Sequence, residues 1–155
     1  MRLTRYTDYA MRVLLYLGTR PDRLSSIAEI STAYHISQNH LMKVVNDLAR
    51  AGYVASVRGR SGGIRLGAPA EEINVGKVVR HTEDDFRLAD CPNCVIAPAC
   101  GLQGALNEAL EAFLGVLDRY TLADLLVSRS SMRSLFGIPD QDASGSPAFA
   151  GEPGE

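Results

Sequence analysis

Two short amphipathic segments, joined by a tight turn and followed by a glycine-rich hairpin pattern, constrain the fold of this chain more than any other feature. The first segment, SSIAEISTAYHI, is predicted to begin a helix at Ser25 or Ser26. The second, SQNHLMKVVNDLARAGYV, is predicted to be a helix that Ser37 caps and Gly52 ends. Its buried stripe is expected at Leu41, Val44, Val45 and Leu48. Two such helices, the second opening with polar residues, are typical of a helix-turn-helix.

Strand character follows the second helix directly. Residues 53–57 and 64–66 are predicted strands, and RGRSGG between them is a predicted hairpin loop whose glycines adopt positive φ. A helix that begins at Thr4 or Thr7 precedes this unit, and a short helix around Val75 to Arg80 follows it. We therefore predict a mainly α fold with a small β-hairpin, in which residues 1–80 form a winged helix-turn-helix domain.

Charge is distributed unevenly between the two halves of the chain. Residues 1–67 contain ten Lys/Arg and four Asp/Glu, a net charge of +6, whereas residues 68–155 contain six and fourteen, a net charge of −8. A basic half of this kind suggests contact with a polyanion, and scattered surface charge is the alternative explanation.

The candidate DNA-contacting residues lie in two places. The first turn of the second helix in a helix-turn-helix enters the major groove, where amide and hydroxyl groups read base edges. Arginines in and beside the hairpin loop suit phosphate contact or a narrow minor groove. The alternative is a winged fold used for protein contacts, with ordinary exposed polar residues at these positions. The candidates are Ser37, Gln38, Asn39, His40, Lys43, Arg58, Arg60 and Arg65.

All three cysteines of the chain, Cys91, Cys94 and Cys100, fall within the segment DCPNCVIAPACGL. Thiolates are soft ligands that suit zinc or an iron–sulfur cluster, and an odd number of clustered cysteines favours a metal or redox site over a disulfide framework. The second CxxC or paired histidines of a structural zinc site are absent from the sequence. The alternative is three reduced thiols that pack as small apolar groups in an irregular loop.

A long periodic segment follows the cysteines. Its apolar face is marked by Leu106, Leu110, Phe113, Leu114 and Leu117. A helix of about 20 residues would be about 30 Å long, too long for one small winged domain to cover, so we expect it to pack against a second subunit. The resulting division is a winged domain over 1–80, a cysteine loop over 81–101, a dimerisation helix and helical segment over 102–136, and a disordered tail over 137–155.

Composition narrows the class of protein further. No apolar run approaches the roughly 20 residues of a membrane helix, and charges interrupt the N-terminal segment, so a cytoplasmic protein without a membrane partner is expected. The sequence contains neither a nucleotide-binding glycine loop in a suitable context nor a Ser/His/Asp or Cys/His catalytic arrangement. We therefore do not expect an enzyme.

Three stretches together resemble the iron–sulfur winged-helix repressors of bacteria. They are MRLTRYTDYAMRVLLYL, SQNHLMKVVNDLARAGYVASVRGRSGGIRLG, and the three cysteines before GLQGALNEALEAFLGVLDRYTLADLL, so the likeness covers roughly residues 1–136. Within that family the match is closest to the branch that responds to nitric oxide. The resemblance implies a homodimer that holds one cluster per subunit through three cysteines and represses promoters until nitric oxide modifies the cluster.

The resemblance also implies a fourth ligand, an aspartate on the first helix donated by the partner subunit. Asp8 occupies that place here. Arg12 lies one turn further on, where an i,i+4 pair would steady the Asp8 carboxylate; the alternative is an ordinary ion pair on the helix surface. Another branch uses a histidine three residues after the third cysteine, where this chain has Gln103. The gap between the first two cysteines is shorter than is common in the family. The identity of the bound group therefore stays open between a [4Fe–4S] cluster, a [2Fe–2S] cluster and zinc. His35 and His81 are the candidate substitute ligands.

The sequence therefore predicts a homodimeric DNA-binding repressor that senses nitric oxide through a labile iron–sulfur cluster. A regulator of the same family that senses iron or cluster supply is one alternative. An iron–sulfur electron-transfer or redox protein is the alternative from a different class.

Overall fold

The computed structural model of the chain describes residues 2–138. Within that range lie seven α-helices, one antiparallel hairpin and two single 3₁₀ turns at Cys91–Asn93 and Ala97–Ala99. The helices and strands follow in the order α1 (Arg5–Gly18), α2 (Ile27–Tyr34), α3 (Gln38–Arg50), β1 (Val54–Val57), β2 (Gly63–Leu66), α4 (Val75–Thr82), α5 (Leu102–Leu117), α6 (Leu122–Leu125) and α7 (Arg129–Leu135). The predicted fold class, mainly α with a winged helix-turn-helix, is confirmed.

The first two helices start where side chains can replace missing backbone hydrogen bonds. Thr4 Oγ1 accepts from the backbone N–H of Thr7, 3.3 Å away, at the start of α1. Ser26 and Glu29 form a reciprocal capping box at the start of α2. Both arrangements satisfy backbone donors that would otherwise face solvent alone.

A short turn connects α2 to α3. His35 ends α2 in the left-handed region at φ 54°, which lets the chain reverse direction within three residues. The Ser31 hydroxyl donates to the Ile36 carbonyl at 2.6 Å and holds the turn closed. Ser37 then occupies the N-cap position of α3, but its side chain makes no capping hydrogen bond.

The wing is an antiparallel pair in which Val54 faces Leu66 and Val57 faces Gly63. The prediction that its loop glycines adopt positive φ is correct for Gly59, at φ 115°, and wrong for Gly62 and Gly63. These two are required for close approach instead, because a Cβ at Gly63 would lie 2.8 Å from the Ser25 carbonyl oxygen. That approach pairs Ser25 with Ile64 and fastens the wing to the segment before α2.

The core lies between α1, α3 and the elements packed around them. The predicted stripe of α3, namely Leu41, Val44, Val45 and Leu48, is buried. It meets Ala10, Val13, Leu14 and Leu17 of α1 in one continuous apolar cluster. This packing fixes the orientation of α3 and leaves its first turn on the surface.

Helix α5 ends at Leu117 and has 16 residues, so it is shorter than the helix of about 20 residues that periodicity predicts. The chain leaves the helix because residues 118–123 bond to the connector 70–75. The Val75 N–H donates to the Tyr120 carbonyl at 2.9 Å, and the Leu122 N–H donates to the Ile73 carbonyl at 2.8 Å. Thr121 then caps α6 with Asp124 in a second capping box.

The last described residues still belong to the folded body. Ile138 is buried in the apolar cluster next to Phe136 of the C-terminal segment. Residues 139–155, which make up nearly all of the predicted disordered tail, lie outside the described residues. No helix between residues 2 and 138 is long and apolar enough to cross a membrane.

Candidate DNA-binding face and cysteine loop

The eight predicted DNA-contacting side chains are all exposed. Four occupy the N-cap and first turn of α3, Lys43 lies one turn further along the same helix, and three arginines lie in or beside the wing. Within residues 2–138, none of these eight side chains takes part in a hydrogen bond or an ion pair. Their donors therefore remain available to an external partner.

One more basic residue lies beside this face. Arg5, at the start of α1, lines a cavity of about 250 Å³ with His40 and Lys43 of α3 and with two tyrosines of α1. The His40 ring lies 6.3 Å from that of Tyr9, measured between centroids. Sequence reasoning missed Arg5 because its proximity to α3 depends on how α1 packs. Its position at a helix start in the basic half of the chain was the available signal.

A carboxylate behind the face ties three helices together. Asp47 Oδ2 on α3 accepts a hydrogen bond from the Tyr6 hydroxyl on α1 at 3.0 Å and lies 3.0 Å from His81 Nε2 on α4. Burial, followed by this bond to Asp47, raises the pKa of Tyr6 to about 12. The His81 ring also lies 5.9 Å from that of Tyr53. His81, a candidate substitute ligand, is thus paired with Asp47.

The cysteine segment is a succession of tight turns. Backbone N–H groups of Cys94, Ala97 and Cys100 donate to the carbonyl three residues earlier, at 3.1, 3.1 and 3.3 Å. All three cysteines are free thiols; Cys91 and Cys100 are half-buried, and Cys94 is exposed. Among residues 2–138, no three His, Cys, Asp or Glu side chains converge in an arrangement that could hold a metal ion.

The chemistry of the donor set nevertheless fits a thiolate-bound metal group. All three soft donors are free thiols within one loop. The Cys100 sulfur already accepts the backbone N–H of Leu102 at 3.5 Å, at the start of α5. A helix start with unpaired N–H groups stabilises an anionic thiolate. Three thiolates from this loop would leave one position of a cluster to a ligand from elsewhere.

Asp8 lies on α1 and is engaged by Arg12. The guanidinium grips both carboxylate oxygens, with Nη2–Oδ2 at 2.9 Å and Nε–Oδ1 at 3.0 Å, as the i,i+4 spacing predicts. Arg12 in turn lies over the Tyr34 ring, 5.5 Å from its centroid. Within the described residues, no hydrogen bond or ion pair joins Asp8 to the cysteine loop.

The remaining candidate ligand, His35, has a local structural role because it forms the left-handed end of α2. The segment that leads into the cysteine loop is bound to α1 by a different residue. Glu83, directly after α4, accepts hydrogen bonds from the Thr4 backbone at 2.7 Å and from the Thr4 hydroxyl at 3.0 Å. Sequence reasoning gives no sign of this contact, because it joins residues 79 positions apart.

A helix-turn-helix with an exposed polar first turn, followed by a basic wing, defines a DNA-binding transcriptional regulator. The chain belongs to the Rrf2 family, described as iron-dependent transcriptional regulators, whose profile matches residues 3–128. It is therefore a transcriptional regulator and not an enzyme, which decides against the electron-transfer alternative.

Two relatives and one solved structure illustrate the likeness. The HTH-type transcriptional regulator NsrR of Bacillus subtilis is 53% identical over 146 residues, which cover 90% of this chain and 100% of the relative. The regulator of the same name from Bacillus licheniformis is 51% identical over 141 residues, with 87% and 99% covered. A transcriptional regulator structure from Listeria innocua superposes with a TM-score of 0.71 at 26% identity and covers 96% of each chain.

Proposed function

We propose that this chain is a homodimeric, cytoplasmic transcriptional repressor that senses nitric oxide through a labile iron–sulfur cluster. The observation that carries the proposal is the position of the cysteine loop. All three thiols lie between α4, which is bonded to the helix-turn-helix unit, and α5, whose apolar face is incompletely covered. The relatives named NsrR support the same proposal, because this chain aligns with almost their full length.

DNA recognition is assigned to the exposed polar face. The α3 turn formed by Gln38, Asn39 and His40 is proposed to read base edges in the major groove, with Ser37 and Lys43 beside it. Arg58, Arg60 and Arg65 are proposed to contact phosphates or the minor groove, and Arg5 adds a phosphate contact from the start of α1. The exposure of these groups and their lack of internal partners support this assignment.

Cys91, Cys94 and Cys100 are proposed to hold the cluster, and Asp8 of a second copy is proposed as the fourth ligand. When bound, the cluster would supply iron that reacts with nitric oxide. The hard carboxylate would be the most readily exchanged of the four ligands. Arg12 would hold that carboxylate in a defined orientation, since its guanidinium already contacts both oxygens.

The chain's own contacts provide a route from the loop to the DNA-binding face. Glu83 holds the start of α1 through Thr4, and His81 holds α3 through Asp47. A change in the conformation of the cysteine loop would therefore first disturb these hydrogen bonds and then the orientation of α3. Small rotations of recognition helices suffice, because a dimer must place two of them at successive half-sites.

The test uses an operator duplex selected from random-sequence DNA by the chain after anaerobic cluster reconstitution. We expect nitric oxide to weaken binding of this duplex at least tenfold, which corresponds to about 1.4 kcal/mol. Fluorescence anisotropy measures the affinity, and absorption spectra with iron and sulfide analysis measure the cluster. An unchanged affinity after complete reaction with nitric oxide would contradict the proposal.

The same assay distinguishes nitric oxide from iron supply as the signal. A sensor of iron supply would release the operator when a chelator removes iron and would retain it after a brief exposure to nitric oxide.

Asp8→Ala provides the matched ligand variant, because it leaves all three thiols in place. We expect it to bind the operator with its cluster intact but to lose iron faster than the unmodified chain.

A further inference from the structure

The pair Cys91 and Cys94 has a feature that three-thiol ligation does not require. The two residues are the ends of one 3₁₀ turn, closed by the Cys94 N–H donating to the Cys91 carbonyl at 3.1 Å. In a turn of this kind the terminal Cα atoms lie within about 7 Å of each other. Disulfides bridge Cα atoms about 4.4–6.8 Å apart, so a turn of this kind brings the two residues close to the separation that a disulfide needs.

Cys100 is placed differently. Two further turns, closed by the N–H groups of Ala97 and Cys100, separate it from Cys94. Its sulfur is also occupied as the acceptor of the Leu102 N–H at 3.5 Å. The turn geometry therefore favours only one intramolecular pairing of the three thiols.

Three neighbouring side chains hold the Cys91–Cys94 turn in shape. The Asn93 amide donates to both carboxylate oxygens of Asp90, each at 2.9 Å, and so spans the turn from outside. Pro92 fixes its own φ at the second position of the turn. Because this backbone is pre-organised, closing a ring between the two sulfurs costs little further conformational entropy.

We propose that Cys91 and Cys94 form a reversible disulfide when the chain carries no cluster, which makes this loop a dithiol redox site in its own right. Disulfides in a reducing compartment are usually transient and redox-sensing, and a short CxxC pair fits that pattern. The assignment goes beyond the proposed function, since it concerns the chain without a metal group and a signal other than nitric oxide.

The reaction is a thiol–disulfide exchange with a low-molecular-weight disulfide as oxidant. The exposed Cys94 thiolate attacks one sulfur of that disulfide, forms a mixed disulfide and releases one small thiol. The half-buried Cys91 thiolate then attacks Cys94 Sγ and releases the second small thiol. Overall, the protein dithiol is oxidised, the small disulfide is reduced to two thiols, and the two protein protons pass to those products.

The disulfide and the cluster exclude each other, because a sulfur in a disulfide is not available as a thiolate ligand. Oxidation of the loop therefore blocks cluster assembly until a reductant restores the dithiol. A chain that has lost its cluster would then remain in the iron-free state for as long as the small-thiol pool is oxidised.

The experiment uses the full chain, reduced and freed of iron with a chelator. It is equilibrated anaerobically with glutathione at graded ratios of oxidised to reduced form, alkylated, and analysed by mass spectrometry. We expect the number of alkylated thiols to fall from three to one, with peptide mapping placing the link between Cys91 and Cys94. Three alkylated thiols at every ratio, a link to Cys100, a link between chains, or mixed disulfides that never close would each overturn the proposal.

Variants make the result specific. Cys100→Ser should still form the disulfide although it cannot supply three thiolates, whereas Cys94→Ser should form none. Asn93→Ala removes the side-chain hydrogen bonds that hold the turn. Half-oxidation of this variant should therefore require a ratio of oxidised to reduced glutathione about twofold to fivefold higher than the unmodified chain requires. An unchanged ratio would contradict that role. Because no cluster is present in these assays, failure here leaves the nitric-oxide proposal standing, and failure of that proposal leaves this one standing.

Discussion

Asp47 is a single carboxylate that serves as partner for two other helices, and its removal is the most direct test of how α3 is held. Asp47→Ala takes the acceptor from Tyr6 and the partner from His81. We expect the free energy of unfolding to fall by about 1–2 kcal/mol, since the half-buried Tyr6 hydroxyl loses its acceptor and the exposed His81 ring loses its partner. Urea unfolding measures the change. Asn46→Ala, a neighbouring exposed position, is the control and should have little effect.

Tyr6 gives this contact a pH dependence. Burial and the bond to Asp47 raise the pKa of Tyr6 to about 12. The neutral hydroxyl is therefore favoured by folding, so its contribution to stability is fully present below the ordinary pKa of about 10 and is lost as the pH rises through about 12. The unmodified chain should lose stability faster than Tyr6→Phe over that interval. Parallel pH profiles for the two proteins would contradict the assignment.

Local chemistry was predictable at the scale of single residues, but long-range pairing was not. Capping preferences indicated Thr4 or Thr7 as the start of α1, and Thr4 is the N-cap. The left-handed backbone preference of glycine placed Gly52 after the end of α3, where it has a positive φ. The contact between Asp47 and His81 joins residues 34 positions apart, and that between Thr4 and Glu83 joins residues 79 apart. No periodicity or spacing encodes such pairs, because they depend on how three helices pack.

At the scale of elements, the junction between α4 and α5 depends on a glycine. A Cβ at Gly76 of α4 would lie 2.9 Å from the backbone nitrogen of Asp118, next to the carboxylate that binds Arg80. Gly76→Ala should therefore force the two elements apart and cost about 1–3 kcal/mol. Thermal unfolding provides the measurement.

Gly104→Ala on α5 is the matched control for the same chemical change. Nothing lies within 4 Å of a Cβ added there, so the helix should gain stability, by about 0.5–1 kcal/mol. If both variants lowered the unfolding temperature equally, the destabilisation would come from replacing a glycine at any position and not from the contact of the new Cβ with Asp118.

The same junction explains why the end of α5 was mispredicted. Apolar spacing continues through Leu117 into the segment YTLADLL, so periodicity alone extends the helix. The break at Asp118 is imposed from outside, because Asn74 donates to the Asp118 carbonyl at 2.7 Å and Arg80 binds its carboxylate. The cysteine loop was likewise located by composition, but its succession of 3₁₀ turns was not foreseen.

At the scale of the whole molecule, α5 leaves apolar surface uncovered. Of the predicted α5 stripe, only Leu114 is buried, whereas the other four side chains are half-exposed. Leu106, Leu110 and Phe113 line an open cavity of about 580 Å³ together with the loop before the cysteines. In the homodimer that we propose, apolar surface of this extent is expected to meet the same surface of the second copy.

Leu110→Glu tests that expectation, because a charge in the middle of the stripe cannot be buried between two copies without a partner. We expect sedimentation equilibrium to show a monomer, and operator affinity to fall at least tenfold because a single half-site contact remains. Glu108→Lys changes a charge on the opposite side of the same helix and should remain dimeric. Circular dichroism distinguishes dissociation from unfolding. If Leu110→Glu were folded and still dimeric, the dimer interface would lie elsewhere. The α5 stripe would then no longer support the proposal that Asp8 of a second copy reaches the cysteine loop.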